Sequence, residues 1–272
     1  MPGTFSHPAA VLPFRRLTRR PLNFAALIIG SMAPDSAYFI NRFDLSTFAH
    51  TFPGTFLACV PTGVVLLVLL YLFAKPVCYA LPSPHREVLS PLCPSFPIQA
   101  SAWLVILVSL LTGTWCHVLW DAFTHEHGWF VERIVLLREP LFRTGSSVTR
   151  VYLALQEAST IGGFMMVVGA YWIWLRRQGK PLLWLARSDL WRYLFWLIIA
   201  AVSFGLAISL AVRFANSTSL HDFLYGRSVA FRTALYTTEI GVPLALIGST
   251  LIYRLRPRPL PEAARVPDTV RL

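Results

Sequence analysis

Six stretches of mostly apolar residues alternate along the chain with polar, basic or proline-rich segments. Each stretch approaches the length of about 20 apolar residues that a helix needs to cross a bilayer. They cover roughly residues 22–40, 55–74, 101–122, 160–175, 193–212 and 234–253. This pattern predicts an all-α fold, a polytopic bundle of about six transmembrane helices.

The N-terminal part departs from this simple pattern. Ser31, Pro34 and Asp35 interrupt the first stretch. A further short apolar segment, residues 7–18, leads into the basic motif RRLTRR. These residues are compatible with a re-entrant helical hairpin that has the basic motif at its turn, because such segments are tolerated where protein surrounds them.

The chemistry-bearing residues are unevenly distributed, since six of the seven histidines precede residue 130. We therefore divide the chain into three parts. Residues 1–135 form a membrane-embedded region with a candidate metal site, and residues 136–253 form the C-terminal transmembrane helices. The Pro- and Arg-rich residues 254–272 are predicted to be a disordered tail.

Composition and charge support a membrane protein. Hydrophobic residues make up 55% of the chain and charged residues 14%, whereas a soluble domain carries about 25% charged residues. The net charge of +11 comes from short basic clusters between the apolar stretches, which is typical of cytoplasmic loops. These clusters lack the interleaved stacking aromatics of nucleic-acid-binding segments. We expect contact with membrane lipids, no nucleic-acid partner, and both termini in the cytoplasm.

The clearest candidate for chemistry is the segment GTWCHVLWDAFTHEHGW, residues 113–129. His117 and Asp121 are four residues apart and therefore lie on one face of a helix. Two such side chains can bind one metal ion, or the Asp can orient the His. Ionisable groups near a bilayer core are costly and are usually functional. The alternative is a helix end at the membrane surface, with the Asp solvated by water.

Three further residues extend this pair. Asp35 follows Pro34, which favours a turn, and serves either as a metal ligand or as a helix cap. His50 lies in the following loop, and His7 joins the others only if the re-entrant hairpin forms. Imidazole and carboxylate together suit zinc, manganese or iron better than calcium. The predicted metal ligands are His7, Asp35, His50, His117 and Asp121.

Four motifs in order, FSHPAAVLPFRRL, LIIGSMAPDSAYFI, HTFPGTF and CHVLWDAFTHEHGW, resemble the bacterial membrane family called domain of unknown function (DUF) 4184. The resemblance covers roughly residues 1–135 and implies the bacterial cytoplasmic membrane as location. More distantly, the chain resembles membrane-bound metal-dependent hydrolases and the zinc-dependent phospholipase C and nuclease superfamily. Those proteins share the order of an early His, a Pro-Asp, a loop His, and His-x-x-x-Asp-x-x-Thr followed by Gly. That order implies a zinc cluster here.

The chain departs from the superfamily after this motif. We find no counterpart of its later His and His-x-x-x-Glu ligands. Four residues are near enough to replace them: His125, Glu126, His127 and Glu157. We therefore expect one or two divalent ions, with zinc favoured, and not three.

These observations predict a hydrolase that uses metal-activated water at the membrane interface. His125 or Glu126 is the expected general base, and Thr124 is expected to orient Asp121. A lipid or another phosphoester is the expected substrate class. Two alternatives stay open. One is a transporter or ion-permeation protein with an intramembrane His/Asp pathway, to which Glu239 contributes. The other is a non-enzymatic membrane scaffold.

Overall fold

The computed structural model describes residues 3–16, 22–97, 99–144, 147–179, 189–218 and 222–256. Within them, five long helices are apolar and long enough to cross a membrane, as expected of an integral membrane protein. These are α4 (Phe52–Ala80), α6 (Ala100–Thr124), α9 (Val151–Arg176), α10 (Leu190–Ser217) and α11 (Asp222–Leu255). At 1.5 Å per residue, each is about 38–51 Å long. The predicted all-α membrane bundle is confirmed.

The first apolar stretch, residues 22–40, does not form a spanning helix. Its helix α2 (Phe24–Met32) has nine residues and is therefore only about 14 Å long. Pro34 then begins a 3-10 segment, Pro34–Ile40, which ends at Asn41 with a left-handed φ of 54°. Proline ends the α-helix because it has no amide hydrogen to donate. The described residues thus contain five candidate spans where the sequence predicts about six.

The N-terminal segment packs beside this short helix. A 3-10 turn (Thr4–Ser6) is followed by α1 (Pro8–Val11) and a second 3-10 turn (Leu12–Arg16). Helix α1 contacts α2, α6 and α9. The start of α1 and the end of α2 lie at the same level of the bundle, so the two helices run as a hairpin. Part of the RRLTRR turn lies outside the described residues.

Helices α2 and α6 pack unusually closely. A Cβ atom added to Gly30 would lie 2.2 Å from the Leu110 carbonyl oxygen, and one added to Gly113 would lie 2.2 Å from that of Leu27. Small residues allow two membrane helices to approach with their backbones nearly in contact. The Thr114 hydroxyl donates a hydrogen bond to the Gly30 carbonyl at 3.1 Å, which ties the two helices together.

Short elements connect the long helices. They are α3 (Phe43–Ala49) before α4, α5 (His85–Leu89) after it, and α7 (Trp129–Arg133) and α8 (Val135–Arg138) after α6. An antiparallel hairpin of β1 (Pro140–Thr144) and β2 (Ser147–Arg150) precedes α9. The pattern of apolar and polar residues did not predict this hairpin. Helices α10 and α11 form a closely packed pair that also contacts α4. Of the predicted tail, residues 254–272, Arg254 and Leu255 belong to α11, and the residues from 257 onward lie outside the described part of the chain.

Candidate metal centre

The five predicted ligands come together at one end of the bundle. Four of them offer ligand atoms that all lie within 4.8 Å of one another: Asp35, His50, His117 and Asp121. Asp35 is the second residue of the 3-10 segment that Pro34 begins, and His50 caps the end of α3. His117 and Asp121 lie one turn apart on α6. Three separate segments therefore supply this group.

The Nε2 atoms of His50 and His117 face each other at 3.1 Å. Asp121 Oδ2 lies 3.3 Å from the first nitrogen and 3.2 Å from the second. Asp35 Oδ1 lies 3.7 Å from His50 Nε2 and 3.6 Å from His117 Nε2. Two imidazole nitrogens and two carboxylate oxygens thus surround one small volume.

Backbone carbonyl groups fix both imidazole rings. His117 Nδ1 lies 2.7 Å from the Ser31 carbonyl oxygen, and His50 Nδ1 lies 2.7 Å from that of Ser46. A carbonyl oxygen only accepts, so each Nδ1 carries the hydrogen. In the neutral rings both Nε2 atoms therefore present lone pairs to each other and to the carboxylates. A cation between them, either a proton or a metal ion, removes this repulsion. A histidine that ligates a metal usually donates its other N–H in this way.

His7 faces the other oxygen of each carboxylate. Its Nε2 lies 3.7 Å from Asp121 Oδ1 and 3.9 Å from Asp35 Oδ2. Its ring stacks on His117 with 3.6 Å between centroids. Among the described residues, the buried atoms His7 Nε2 and Asp121 Oδ1 have no hydrogen-bond partner. Buried polar atoms almost always have one, so these two atoms are exceptions within the site.

The environment of His7 favours its neutral form. Burial, together with the neighbouring His117 ring, lowers the pKa of His7 well below its ordinary value of 6.5. Desolvation disfavours the charged imidazolium. The neutral ring keeps a lone pair on one nitrogen, which is the form that binds metal ions.

The N-terminal turn adds a contact that the sequence did not indicate. The Thr4 hydroxyl donates a hydrogen bond to Asp35 Oδ2 at 3.0 Å. This turn is held to α9 by Thr160, which accepts bonds from the Gly3 amide at 3.2 Å and the Ser6 hydroxyl at 2.6 Å. Helix α9 therefore supports the site although it supplies no ligand to the four-residue group.

The segment after Asp121 contains the two predicted general bases. His125 Nδ1 lies 3.5 Å from Asp121 Oδ1, and Gln156 on α9 lies 3.1 Å from His125 Nε2. The Thr124 hydroxyl, predicted to orient Asp121, donates to the Trp120 carbonyl and lies 3.4 Å from His125 Nδ1. Glu126 is exposed on the turn that follows.

The remaining substitute ligands face away from the cluster. His127 is exposed on the same turn as Glu126. Glu157 forms an exposed ion pair with Arg227 at 3.5 Å. Of the four substitutes, His125 is thus the one that lies against a predicted ligand.

Cavities flank the cluster on both sides. An apolar pocket of about 520 Å³ lies between α6 and α9. It shares Ala10, Trp120 and Ser159 with a small cavity that reaches His7. On the other side, a cavity of about 120 Å³ reaches Asp35 and adjoins a chamber of about 410 Å³ whose wall includes Glu239. The cluster is most accessible at His50 and His125, whose side chains are 24% and 34% exposed.

The comparisons with known proteins give one match. A family model described as a domain of unknown function (DUF4184) matches residues 1–253 and so includes the whole cluster. The resemblance seen in residues 1–135 is confirmed and extends over the C-terminal spans. The search of curated proteins and the search of solved structures found no match.

Proposed function

Because the chain is a member of the DUF4184 family, whose description assigns no activity, we propose from the site itself that it is a metal-dependent hydrolase of the bacterial cytoplasmic membrane. One observation carries this proposal. Two imidazole nitrogens, each with its other nitrogen bonded to a carbonyl, converge with two carboxylate oxygens on one buried volume. A buried group of four electron-pair donors requires a cation.

A divalent transition metal fits this donor set. Asp35, His50, His117 and Asp121 would hold a first ion, and mixed nitrogen and oxygen ligands favour zinc over calcium or magnesium. The unpartnered His7 Nε2 and Asp121 Oδ1 support a second ion, held by His7 and by the outer oxygens of Asp35 and Asp121. Three protein ligands leave a coordination position open, as in catalytic zinc sites.

A bound zinc ion lowers the pKa of a coordinated water toward about 7 and so supplies a nucleophile at neutral pH. The surrounding residues would prepare the reaction. His125 lies within reach of Asp121 and is partly exposed, and its Nε2 accepts a hydrogen bond from the Gln156 amide. We assign this nitrogen, once that bond is released, as the general base that accepts the proton of the attacking water. Glu126 is the alternative base, since it is exposed on the same turn.

The substrate class that we propose is a lipid phosphoester. The apolar pocket of about 520 Å³ between α6 and α9 has the size of a typical ligand pocket. An acyl chain bound in it would lie against Trp120 and Ser159, which also line the small cavity at His7. The phosphoester group rests on the distant resemblance to zinc-dependent phospholipases.

Metal analysis followed by an activity screen tests the proposal. We compare the wild-type chain with His117→Ala and with a control, His85→Ala. The control histidine lies beyond the end of α4 that is remote from the metal centre. All three proteins are purified in detergent and analysed for bound elements. We expect stoichiometric zinc in the wild type and the control and a loss in His117→Ala. Release of phosphorylated headgroups from phospholipid vesicles should follow the metal content. Wild-type protein without a transition metal, or activity retained in His117→Ala, would contradict the proposal.

Ion permeation is the second candidate function. Glu239 on α11 lines the chamber that adjoins the cavity at Asp35, and intramembrane acidic residues often mark ion pathways. Zinc uptake by proteoliposomes that is lost in Glu239→Gln would favour this function.

A non-enzymatic scaffold, in contrast, predicts that loss of the ligands lowers the melting temperature without removing any activity.

The orientation is also a proposal. Five crossings would put Phe52 and Leu255 on opposite faces of the membrane. The Arg-rich end at Leu255 favours the cytoplasm, which places the metal centre on the outer face. The predicted location of both termini in the cytoplasm then requires that residues before Phe52 also cross.

A further inference from the structure

Three arginines cluster at the end of the bundle opposite the metal centre. Arg86 lies on α5, Arg192 is in the first turn of α10, and Arg256 directly follows α11. The three are linked through Asp189 and Tyr79. None of these residues belongs to the site described above.

Two of the guanidinium groups share one carboxylate oxygen. Arg192 Nη1 lies 2.7 Å from Asp189 Oδ1, and Arg86 Nη2 lies 3.8 Å from the same atom. The other oxygen of Asp189 accepts a hydrogen bond from the Ser83 amide at 2.8 Å. A single carboxylate therefore faces two positive charges and is already fully bonded. Arg86 Nε is buried without a hydrogen-bond partner in the described part of the chain.

The third arginine adds positive charge beside this pair. Arg192 and Arg256 lie on the ring of Tyr79, at 5.4 and 5.8 Å from its centroid. Arg256 also lies 3.3 Å from the centroid of Tyr253 and donates to the Tyr253 carbonyl. Among the described residues, these three guanidinium groups are accompanied by two carboxylates, those of Asp189 and Glu87, the second of which lies 3.9 Å from Arg86 Nη2, so the local excess is one positive charge. This excess calls for an anion with several acceptor oxygens, because arginine binds phosphate through a fork of N–H groups.

The level of this cluster in the bundle indicates where the anion comes from. Tyr79 is near the end of α4, and Trp191 begins α10. Aromatic residues at helix ends are typical of the headgroup level of a bilayer. Beside the arginines, Leu190 and Leu255 are 53% and 83% exposed. An anion that carries hydrocarbon chains satisfies the arginines and the exposed leucines together.

We propose that Arg86, Arg192 and Arg256 form a binding site for the phosphate headgroup of an anionic phospholipid. Basic pockets between transmembrane helices on the cytoplasmic side bind such headgroups. The phosphate would accept hydrogen bonds from Arg256 and from Arg86. The Nη2 atom of Arg86 already bonds to Ser83 Oγ at 3.4 Å and lies 3.9 Å from Glu87, whereas its Nε has no partner among the described residues. Arg192 remains committed to Asp189 and to the Tyr79 carbonyl at 3.1 Å, so it positions the site.

Lipid titration of the full chain tests this site. The detergent-purified protein is titrated with phosphatidylglycerol or with zwitterionic phosphatidylcholine, and bound lipids are counted by native mass spectrometry. The variant Arg86→Gln with Arg256→Gln removes two donors. The matched control is Arg133→Gln with Arg143→Gln, two exposed arginines at the metal-centre end. We expect a preference for phosphatidylglycerol in the wild type and the control. In the first variant it should weaken about 30-fold, which corresponds to about 1 kcal/mol for each arginine.

Three outcomes would overturn the proposal. They are equal binding of both lipids, an equal loss in the two double variants, and displacement of phosphatidylglycerol by glycerol phosphate, which would identify a free phosphate as the ligand. If the double variant does not fold, the single variant Arg256→Gln replaces it in the titration. The Arg256 guanidinium bonds to a carbonyl of its own helix, so its loss should not separate two helices. Zinc content should not change in any variant, so the result is independent of the proposed hydrolase activity.

Discussion

Replacing Gly113 with alanine is expected to weaken zinc binding, although Gly113 is not a ligand. A Cβ atom there would lie 2.2 Å from the Leu27 carbonyl oxygen and 2.8 Å from the Ser31 amide nitrogen. Ordinary contact begins at 3.4 Å, so α2 and α6 must separate locally by about 1 Å. The ligand His117 lies one turn further along α6, and its ring is held by a carbonyl group of α2.

This separation can be converted into an affinity. The hydrogen bond from His117 Nδ1 to the Ser31 carbonyl measures 2.7 Å. A shift of about 1 Å brings it to the limit at which a hydrogen bond is lost. Loss of such a supporting bond lowers metal affinity about 10- to 100-fold, which corresponds to about 1.4–2.7 kcal/mol. Alanine is also a better helix former than glycine by about 1 kcal/mol, so helix propensity works against the expected loss.

Competition with a chromophoric zinc chelator in detergent measures the effect. The matched control is Gly162→Ala on α9, where an added Cβ meets nothing within 4 Å. A second variant, Thr114→Val, removes the bond to the Gly30 carbonyl without adding volume and should cause a smaller loss. The reasoning would be refuted if folded Gly113→Ala bound zinc as tightly as Gly162→Ala.

Three further predictions concern residues around the two ends of the bundle. In His7→Ala, elemental analysis should find one zinc per chain where the wild type binds two, and two ions retained would exclude His7 as a ligand. Thr4→Val should weaken zinc binding in the same chelator assay by removing a hydrogen bond to Asp35, and an unchanged affinity would show that this bond is not needed. Burial alone would raise the pKa of Asp189, but bonds from Ser83 and nearby arginines lower it overall. The ionised Asp189 side chain therefore stabilises the fold at neutral pH, and this effect is lost as the pH falls through its lowered pKa. Asp189→Asn should lower the melting temperature at pH 7, and the difference from wild type should narrow on acidification to about pH 3. A difference that did not depend on pH would refute this.

The sequence predicted the long helices well because hydropathy reports the cost of placing side chains in lipid, and a helix satisfies its own backbone groups there. It overestimated the first span for a local reason. The apolar side chains of residues 22–40 continue past Pro34, whereas the backbone changes there from an α-helix to a 3-10 segment. Hydropathy counts side chains and does not register the missing amide hydrogen.

The candidate ligands were predictable in a similar, partial way. The four-residue spacing indicates His117 and Asp121 as candidate ligands. The order of the motifs along the chain indicates His7, Asp35 and His50. The groups that orient them were not predictable. Every residue has a backbone carbonyl, so the residue type at position 31 does not show that the Ser31 carbonyl will orient a ligand. The Thr4 hydroxyl reaches Asp35 only because α9 holds the N-terminal turn in place. Such contacts depend on the tertiary packing and leave no spacing in the sequence.

The order of the ligands along the chain sets the order in which the centre can be assembled. The first residue of the cluster is at position 7 and the last of the proposed ligands at position 121. Because synthesis starts at the N-terminus, the set of proposed ligands is incomplete until α6 has been inserted into the membrane. Acquisition of the proposed ion would then follow insertion, and the ion would cross-link chain segments that are far apart in sequence. Loading with metal would thus fix the N-terminal hairpin against the bundle, so that a chain truncated before α6 could neither hold the ion nor keep that hairpin in place.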